Sequence, residues 1–162
     1  YSGKLHMPVY SFESRQLLDL PLEKAWAFFS DPHNLQRITP AFMDFRILSS
    51  FHKNEMYPGQ IIEYTVRPIA GIPVYWMTEI THVVDKVFFV DEQRVGPYSL
   101  WHHQHHFKVT EKGVEMTDIV HYRPPLGLLG ALANRLFIKK KLKEIFSYRA
   151  TVIKELLISG EL

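Results

Sequence analysis

The sequence predicts an α+β protein in which a curved, seven-stranded antiparallel sheet wraps around a long C-terminal helix, with two short helices after strand 1. Three patterns predict this fold: an alternating N-terminal segment, six more alternating segments joined by short turns, and a long helical segment after Pro125. Strands joined by short turns are antiparallel neighbours. The final helix is the only element large enough to cover the apolar face of the sheet, and a helix over a strongly bent sheet tends to leave a cavity.

The first segment and the two short helices precede residue 41. Strand 1 is expected within His6–Leu18, where polar and apolar residues alternate. Pro21 then opens a helix over Leu22–Phe29, since proline is tolerated in a first turn. Asp31 is the expected N-cap of the second helix, which ends before Pro40.

Six alternating segments follow, and together they predict a meander. They are expected near residues 45–48, 62–67, 74–81, 87–94, 98–110 and 114–122. Their boundaries are turn sequences rich in Gly, Pro, Asp and Lys. These are Tyr57-Pro58-Gly59, Ala70-Gly71-Ile72-Pro73, Asp85-Lys86, Gly96-Pro97 and Lys112-Gly113.

A glycine-bearing apolar segment, Leu126–Ala131, leads into the last helix, which is expected to reach about Ile158. Its expected apolar positions are Leu132, Leu136, Phe146, Ile153 and Leu157. The segment is either a gate into the cavity, formed by Leu126, Gly127, Leu129 and Gly130, or a buried first helical turn. The lysines at 139–141 are either a contact for an acidic membrane surface or a solvated helix face.

Composition bounds the class of protein. The 162 residues fit one domain over 1–162, and the absence of cysteine excludes disulfides, iron–sulfur clusters, zinc–thiolate sites and cysteine nucleophiles. A net charge of +2 gives no support for nucleic-acid binding. There is no apolar run near the ~20 residues of a membrane span and no signal-peptide pattern, so we expect a cytoplasmic protein without stable membrane insertion. Phosphate-binding loops, dinucleotide fingerprints and serine-esterase elbows are also missing, and we expect no cofactor.

Four histidines on one predicted strand are the main candidates for chemistry. Strand alternation places His103 and His105 on the face shared with Trp101 and Phe107, which we expect to point inward. Asp118 on the next strand reaches them if its face is also internal. Three hypotheses follow: a hydrogen-bonded network that fixes the sheet, a polar anchor for a ligand, or a metal or acid–base site. We assign no metal and name His103, His105 and Asp118 as catalytic candidates.

The aromatic content of eleven Phe, eight Tyr and three Trp is high for a small chain. Because many of these rings share the inward face of a strand, they are expected to line a cavity. On the neighbouring strand, Asp91 and Gln93 are candidate polar groups of the cavity, although at least one of Asp91 and Glu92 is expected to support a turn or face water. Arg149 on the last helix either meets an anionic group or lies at the surface. The predicted cavity residues are Phe12, Phe45, Tyr64, Trp76, Thr78, Gln93, Trp101, His103, His105, Phe107, Val120, Tyr122, Phe146 and Arg149.

Several short pieces carry a resemblance to a known superfamily. They are Asp31-Pro32-His33-Asn34-Leu35, Ile38-Thr39-Pro40, Phe89–Gln93, Gly96-Pro97-Tyr98, Trp101–Phe107, Met116-Thr117-Asp118, Tyr122, Pro125-Leu126-Gly127 and Ile145–Arg149. In this order they make the chain resemble the START-like or SRPBCC superfamily, also called birch-pollen-allergen-like. Within it, the chain is similar to the polyketide cyclase/dehydrase group. It is closest to small domains labelled cell-division inhibitors, which are sometimes fused to a nucleotide-sugar-epimerase-like protein. The resemblance implies a helix-grip fold with a hydrophobic ligand cavity and no fixed reaction.

Three functions are compatible with these observations. The first is binding of a small hydrophobic molecule (a lipid, isoprenoid or polyketide-like compound) between the sheet and the C-terminal helix. The second is a cyclase or dehydratase that uses His103 or His105 as a base oriented by Asp118. The third is an interaction module with a protein partner, which the cell-division label alone suggests. The sequence does not decide whether the protein is an enzyme.

Overall fold

The computed structural model describes residues 7–51, 55–68 and 71–162, and shows a curved, unclosed antiparallel sheet against a long C-terminal helix. The strands are β1 (Tyr10–Leu18), β2 (Arg46–Ile47), β3 (Gln60–Val66), β4 (Val74–Val84), β5 (Phe88–Val95), β6 (Leu100–Thr110) and β7 (Gly113–Arg123). The helices are α1 (Leu22–Phe29), α2 (Asn34–Arg37), α3 (Gly127–Ala133) and α4 (Lys139–Ser159). A π-helical turn, Asn134–Ile138, joins α3 to α4. The predicted α+β helix-grip fold is therefore confirmed.

The sheet order is β1-β7-β6-β5-β4-β3-β2, so the six later strands form the predicted meander. Strand β1 does not join the meander at its beginning. It pairs with β7 instead, with Tyr10 opposite Tyr122 and Leu18 opposite Val114. The first and last of the described strands are therefore neighbours, and β2 forms the opposite edge.

Most predicted boundaries match the observed elements, and α1 has the bounds that were expected. The second helix begins later, at Asn34, because the Asp31 carboxylate accepts the His33 backbone N–H at 3.0 Å and closes a turn before the helix. Strand β2 is shorter than expected. It follows a short 3₁₀ turn and Asp44, whose φ of +42° interrupts the extended backbone. His6 and Ala70, which the sequence placed in strand 1 and a turn, lie outside the described residues.

The predicted apolar stripe of the last helix is wrong in its first half. Leu132 and Leu136 are exposed, whereas Asn134 and Ile138 are buried. The buried positions recur every four residues from Gly130 to Phe146, and the next buried residue is Ile153, seven positions later. They are Gly130, Asn134, Ile138, Leu142, Phe146 and Ile153. The π-helical turn changes the phase of the helix, and a purely α-helical period cannot reproduce this shift.

Two groups of packed side chains support the ends of the sheet. Under α1, the Trp26 ring lies 5.4 Å from that of Phe107 and 5.9 Å from that of Phe89. Under the junction of α3 and α4, Tyr122 is fully buried and its hydroxyl donates a hydrogen bond to Asn134 Oδ1 at 2.8 Å. In the described part of the chain, no helix has both the length and the apolar character needed to cross a membrane.

Candidate functional site

A cavity of about 170 Å³ lies between the sheet, the first two helices and α4. Strands β3 to β6 supply the sheet side of its wall, with Met116 from β7, and the connections between elements supply much of the remainder. Helix α4 closes the other side with Leu142, Ile145, Phe146 and Arg149. The curved sheet and the single long helix thus create the internal space that was expected from the sequence.

Aromatic rings form one continuous wall of the cavity. Phe45 packs on Tyr64 with ring centroids 4.7 Å apart, and Tyr64 stacks on Trp76 at 5.8 Å. Trp76 then meets Trp101 edge to face at 5.3 Å. Thr78 is the polar point of this wall, since Trp76 Nε1 donates to Thr78 Oγ1 at 3.1 Å. Burial raises the pKa of Tyr64, which keeps its hydroxyl neutral and available for hydrogen bonding.

Sheet register places two carboxylates beside the inward histidines. On β6, His103 and His105 are two residues apart and point to the same face. Asp91 on β5 lies opposite His103, and Asp118 on β7 lies opposite His105. Each histidine therefore has one carboxylate directly across the sheet and a second one on the diagonal.

The four side chains form a closed cluster, in which Asp91 is partly buried and the other three are buried. His103 Nε2 lies 2.9 Å from Asp118 Oδ1, and His105 Nε2 lies 2.7 Å from Asp91 Oδ2. His105 Nδ1 lies 3.0 Å from Asp118, whereas His103 Nδ1 is 3.4 Å from Asp91. The two imidazole centroids are 3.7 Å apart. His105 therefore has a close carboxylate at both nitrogens, and His103 at one.

This geometry separates the pKa values of the two histidines. Burial lowers the pKa of His103, and the adjacent His105 charge lowers it further. Burial also acts against protonation of His105, but hydrogen bonds to Asp118 and Asp91 outweigh it and raise the pKa. Burial alone would raise the pKa of Asp118, yet hydrogen bonds from both histidines hold it well below its usual range. The cluster therefore favours ionised Asp118, protonated His105 and neutral His103.

Arg149 brings a second cation to the cavity wall. Its guanidinium carbon lies 4.9 Å from the centre of the Phe146 ring, and its charge helps to lower the pKa of Asp91. Burial alone would raise the pKa of Asp91. The charges of His103 and His105 lower this pKa more than the charge of Arg149 does. Arg149 Nε is shielded from solvent and has no hydrogen-bond partner among the described residues. Buried donors normally have a partner, so this atom indicates where a ligand acceptor would be stabilised.

The spacing of Asp91, His103 and His105 also bears on metal binding. Each offers one ligand atom, and these atoms all lie within 4.8 Å of one another. Two histidines and a carboxylate are a known set of metal ligands. In the structure, however, both histidines are already hydrogen-bonded to carboxylates, and these bonds account for the orientation of the two rings. An ion at this position would have to replace the hydrogen bond between His105 and Asp91, because both residues belong to the possible ligand set.

The structure brings nine of the fourteen predicted cavity residues to the cavity wall. These are Phe45, Tyr64, Trp76, Thr78, Trp101, His103, His105, Phe146 and Arg149. The other five do not line the cavity: Phe12, Gln93, Phe107, Val120 and Tyr122. Asp118, the remaining catalytic candidate, lies behind the two histidines and contacts them directly.

Local packing explains the five displaced residues. The Gln93 side chain folds back onto the next turn, where its Nε2 donates to Tyr98 O and its Oε1 accepts from Tyr98 N. Phe107 is covered by α1. Phe12, Val120 and Tyr122 pack under the C-terminal helices, with the Phe12 ring 4.9 Å from the Phe146 ring. They form solid core beside the cavity, although they point to the same side of the sheet as the lining residues.

The proposed gate residues Leu126, Gly127, Leu129 and Gly130 do not line the cavity either. Gly130 is buried against the backbone of Pro125, where any side chain would overlap the Pro125 carbonyl. Leu126 and Leu129 instead point to solvent. The close packing at Gly130 anchors the start of the helix on its inner side, and the exposed leucines give it an apolar outer surface.

Several lining residues were not predicted from the sequence. Asp91 was noted only as a candidate polar group, although it has the same strand alternation as Phe89 and faces His103 in the register. Leu35, Met43 and Leu142 belong to short helical segments or to α4. Strand alternation cannot place such residues, because their positions depend on how the helices lie over the sheet.

Comparison with known proteins identifies solved structures of the same fold. Protein Ms6760 from Mycobacterium smegmatis is 16% identical and aligns over 94% of this chain and 99% of its own, with a TM-score of 0.67. Protein TTHA0849 from Thermus thermophilus is 12% identical over 94% of this chain and its whole length, with the same TM-score. Both are similar to this chain in their antiparallel sheet and C-terminal helix. At these identities the likeness concerns the fold alone.

A third structure places the same fold within a longer chain. The nucleoside-diphosphate sugar epimerase from Corynebacterium glutamicum is 19% identical over 90% of this chain but only 29% of its own, with a TM-score of 0.63. No family model and no curated protein matches this chain.

Proposed function

We propose that this protein binds a small, mostly apolar molecule that carries one hydrogen-bond acceptor, such as a carboxylate or carbonyl oxygen. The observation that carries the proposal is Arg149 on the wall of an aromatic cavity, with a buried Nε that lacks a partner among the described residues. Ligand pockets typically combine apolar walls with a few convergent polar groups. An acceptor on the ligand would satisfy the arginine and remove the cost of an unpaired buried donor.

The volume of the cavity restricts the ligand within the lipid, isoprenoid and polyketide-like classes. An engineered protein cavity of about 150 Å³ holds one benzene molecule, so 170 Å³ suits a compound of one ring or a short branched chain. A long acyl chain would require the walls to move apart. Small aromatic acids, monoterpene acids and their ketones are therefore the compounds of choice for a first test.

The hydrogen bonds already formed in the site favour a ligand acceptor over a cationic group, since the charges of the site are balanced without a ligand. Asp91 and Asp118 carry two negative charges, and Arg149 with protonated His105 carries two positive charges. The carboxylates already accept hydrogen bonds from the histidines, whereas the Arg149 donor has no partner among the described residues. A cationic ligand group would thus compete with the histidines for the carboxylates, whereas a ligand acceptor would give Arg149 Nε the partner that it lacks among the described residues.

Native mass spectrometry of protein purified from its source tests ligand binding directly. It is combined with thermal shifts for a panel of matched acids, ketones and hydrocarbons. We expect the acids and ketones to raise the melting temperature more than the hydrocarbons do. No co-purified molecule and no shift across the panel would contradict the proposal.

The variant Arg149→Met tests the anchor itself. It keeps the apolar length of the side chain, so we expect it to remove the preference for acids and ketones while hydrocarbon binding persists. Lys154→Met, at an exposed position of the same helix, is the matched control. A preference that survives in Arg149→Met would show that another group recognises the acceptor.

Acid–base catalysis of a cyclase or dehydratase kind is a second candidate function. The observation that favours it is a pair of cavity histidines with pKa values shifted in opposite directions, since such pairs often divide the roles of base and acid. Neutral His103 would accept a proton and protonated His105 would donate one, with Asp118 orienting both rings. Once a ligand is identified, the variants His103→Gln and His105→Gln should abolish turnover while ligand binding remains. Turnover that survives in both would exclude this function.

Membership of the START-like superfamily remains part of this proposal. It is supported by the helix-grip fold and by the sequence pieces that span most of the chain. The likeness to part of an epimerase chain agrees with the resemblance to domains fused to epimerase-like proteins. The interaction-module hypothesis rests on that resemblance alone, and a stoichiometric protein partner in a pull-down would favour it.

A further inference from the structure

The segment from Leu126 through α3 to the π-helical turn carries six large apolar side chains that are exposed to solvent. Leu126, Leu128, Leu129, Leu132 and Leu136 are between 53% and 77% exposed, and Phe137 is 46% exposed. Leu128, Leu132 and Leu136 are four residues apart, so they follow one side of the helix. A continuous apolar surface of this kind usually marks an interaction site, whereas single exposed leucines do not.

Basic residues continue the same face beyond the leucines. Lys139, Lys140 and Lys143 are exposed, and Arg135 lies beside Leu136. Among the described residues none of these four has an ion-pair partner, whereas Lys141 pairs with Glu144 at 3.1 Å. At 1.5 Å per residue, the first lysine lies roughly 16 Å along the axis from Leu128. The helix thus presents an apolar end followed by a basic collar.

Two features determine the shape of this segment. Leu126 has a φ of +66°, which is rare for a branched side chain and places its apolar group outward at the helix start. Gly130 and Asn134 fasten the opposite side of the helix to Pro125 and Tyr122. The apolar face therefore exists before any partner binds, so little ordering is required on docking.

We propose that this face docks on an anionic lipid surface, with Leu126, Leu128 and Leu129 entering the interface and Lys139, Lys140 and Lys143 contacting the phosphates. Charge complementarity and depth both support this occupant. Apolar side chains of interfacial helices enter about 5–10 Å into the boundary between headgroups and acyl chains, which leaves the lysines near the headgroups. Basic side chains near an anionic leaflet add an attraction that salt weakens. Helix α4, which carries the lysines, also lines the cavity through Leu142 and Phe146. Docking would therefore bring the cavity close to the lipid surface, where an apolar ligand would be dissolved.

Co-sedimentation with vesicles tests the proposal. We expect the protein to bind vesicles of phosphatidylcholine with phosphatidylglycerol, to bind phosphatidylcholine alone much less, and to dissociate in high salt. The double variants Leu128→Glu/Leu129→Glu and Lys139→Glu/Lys140→Glu should each weaken binding by about tenfold or more. Ile158→Glu and Lys154→Glu change an exposed isoleucine and lysine at the far end of α4, and should bind as the unmodified protein does.

A gain-of-signal variant protects the test against misfolding. Leu129→Trp places an indole on the apolar face, and its emission should shift to shorter wavelength and be quenched by brominated lipid when anionic vesicles are added. No binding to anionic vesicles, or equal loss in the control variants, would overturn the proposal. Dimerisation abolished by Leu128→Glu/Leu129→Glu, or a protein partner whose binding ignores Lys139→Glu/Lys140→Glu, would likewise overturn it. None of these results depends on ligand binding in the cavity.

Discussion

Asp118 accepts hydrogen bonds from both inward histidines, and the asparagine variant tests its contribution to stability. Asp118→Asn keeps the shape but removes the charge and turns one acceptor atom into a donor beside an imidazole. Breaking a buried pair by removing one partner costs about 3–5 kcal/mol, and we expect a loss of that size in the free energy of unfolding in urea. Glu115→Gln on the outer face of the same strand should change it by less than about 1 kcal/mol. Equal losses would contradict the role of Asp118.

The cluster that contains Asp118 also makes stability depend on pH. The pKa of Asp118 is lowered in the folded state, so its stabilising contribution is complete above the unfolded pKa of about 3.9 and is lost as pH falls through the folded value. Asp91 acts in the same direction. The raised pKa of His105 acts in the opposite direction: its contribution is complete below about pH 6.5 and is lost as pH rises through the folded value.

We therefore expect the free energy of unfolding of the protein to fall steeply below about pH 4. It should fall less steeply in Asp118→Asn, because one of the responsible carboxylates is absent. Urea denaturation between pH 2.5 and 7 measures both slopes (the range is roughly that over which the carboxylates titrate). Parallel curves for the two proteins would show that other carboxylates control acid unfolding.

At the scale of elements, the last helix provides a test of its buried face. Leu142 is buried, whereas Leu136 lies six residues earlier on the exposed side. Leu142→Ala should lower the free energy of unfolding by about 2–5 kcal/mol, because it removes packed methyl groups from the core. Leu136→Ala should change it by no more than about 0.5 kcal/mol. The reverse order in urea denaturation would favour the uninterrupted α-helical period expected from the sequence.

The sequence predicts individual elements better than it predicts how they pack. Strand alternation placed His103, His105 and Trp76 on the cavity side, since a strand has only two faces. It could not separate these residues from Val120, which shares that side but lies under helical side chains. Nor does any local pattern around Asn134 predict a π-helical turn. Which inward residues meet open space depends on where the helices lie, and that is a property of the complete fold.

At the scale of the whole molecule, the cavity and the solid core should respond oppositely to an added methyl group. Val66 lines the cavity and Val120 is fully buried outside it. Val66→Ile should stabilise the protein by about 0.5–2 kcal/mol through filling of space, and should weaken ligand binding. Val120→Ile should destabilise it by about 1–3 kcal/mol through overpacking. Thermal unfolding of the two variants measures the difference, and two changes of the same sign would contradict the placement of the cavity.

The pairing of β1 with β7 has a consequence for how the molecule is made. Among the described strands, β1 is synthesised first, yet it pairs only with β7, which is the last of these strands to leave the ribosome. Until then its alternating apolar residues have no place in the sheet, and the meander has an open edge at β7. Contacts between distant parts of a chain slow folding, and unpaired strand edges promote aggregation. The sheet is thus completed, and covered by α4, only late in the folding of each newly synthesised chain.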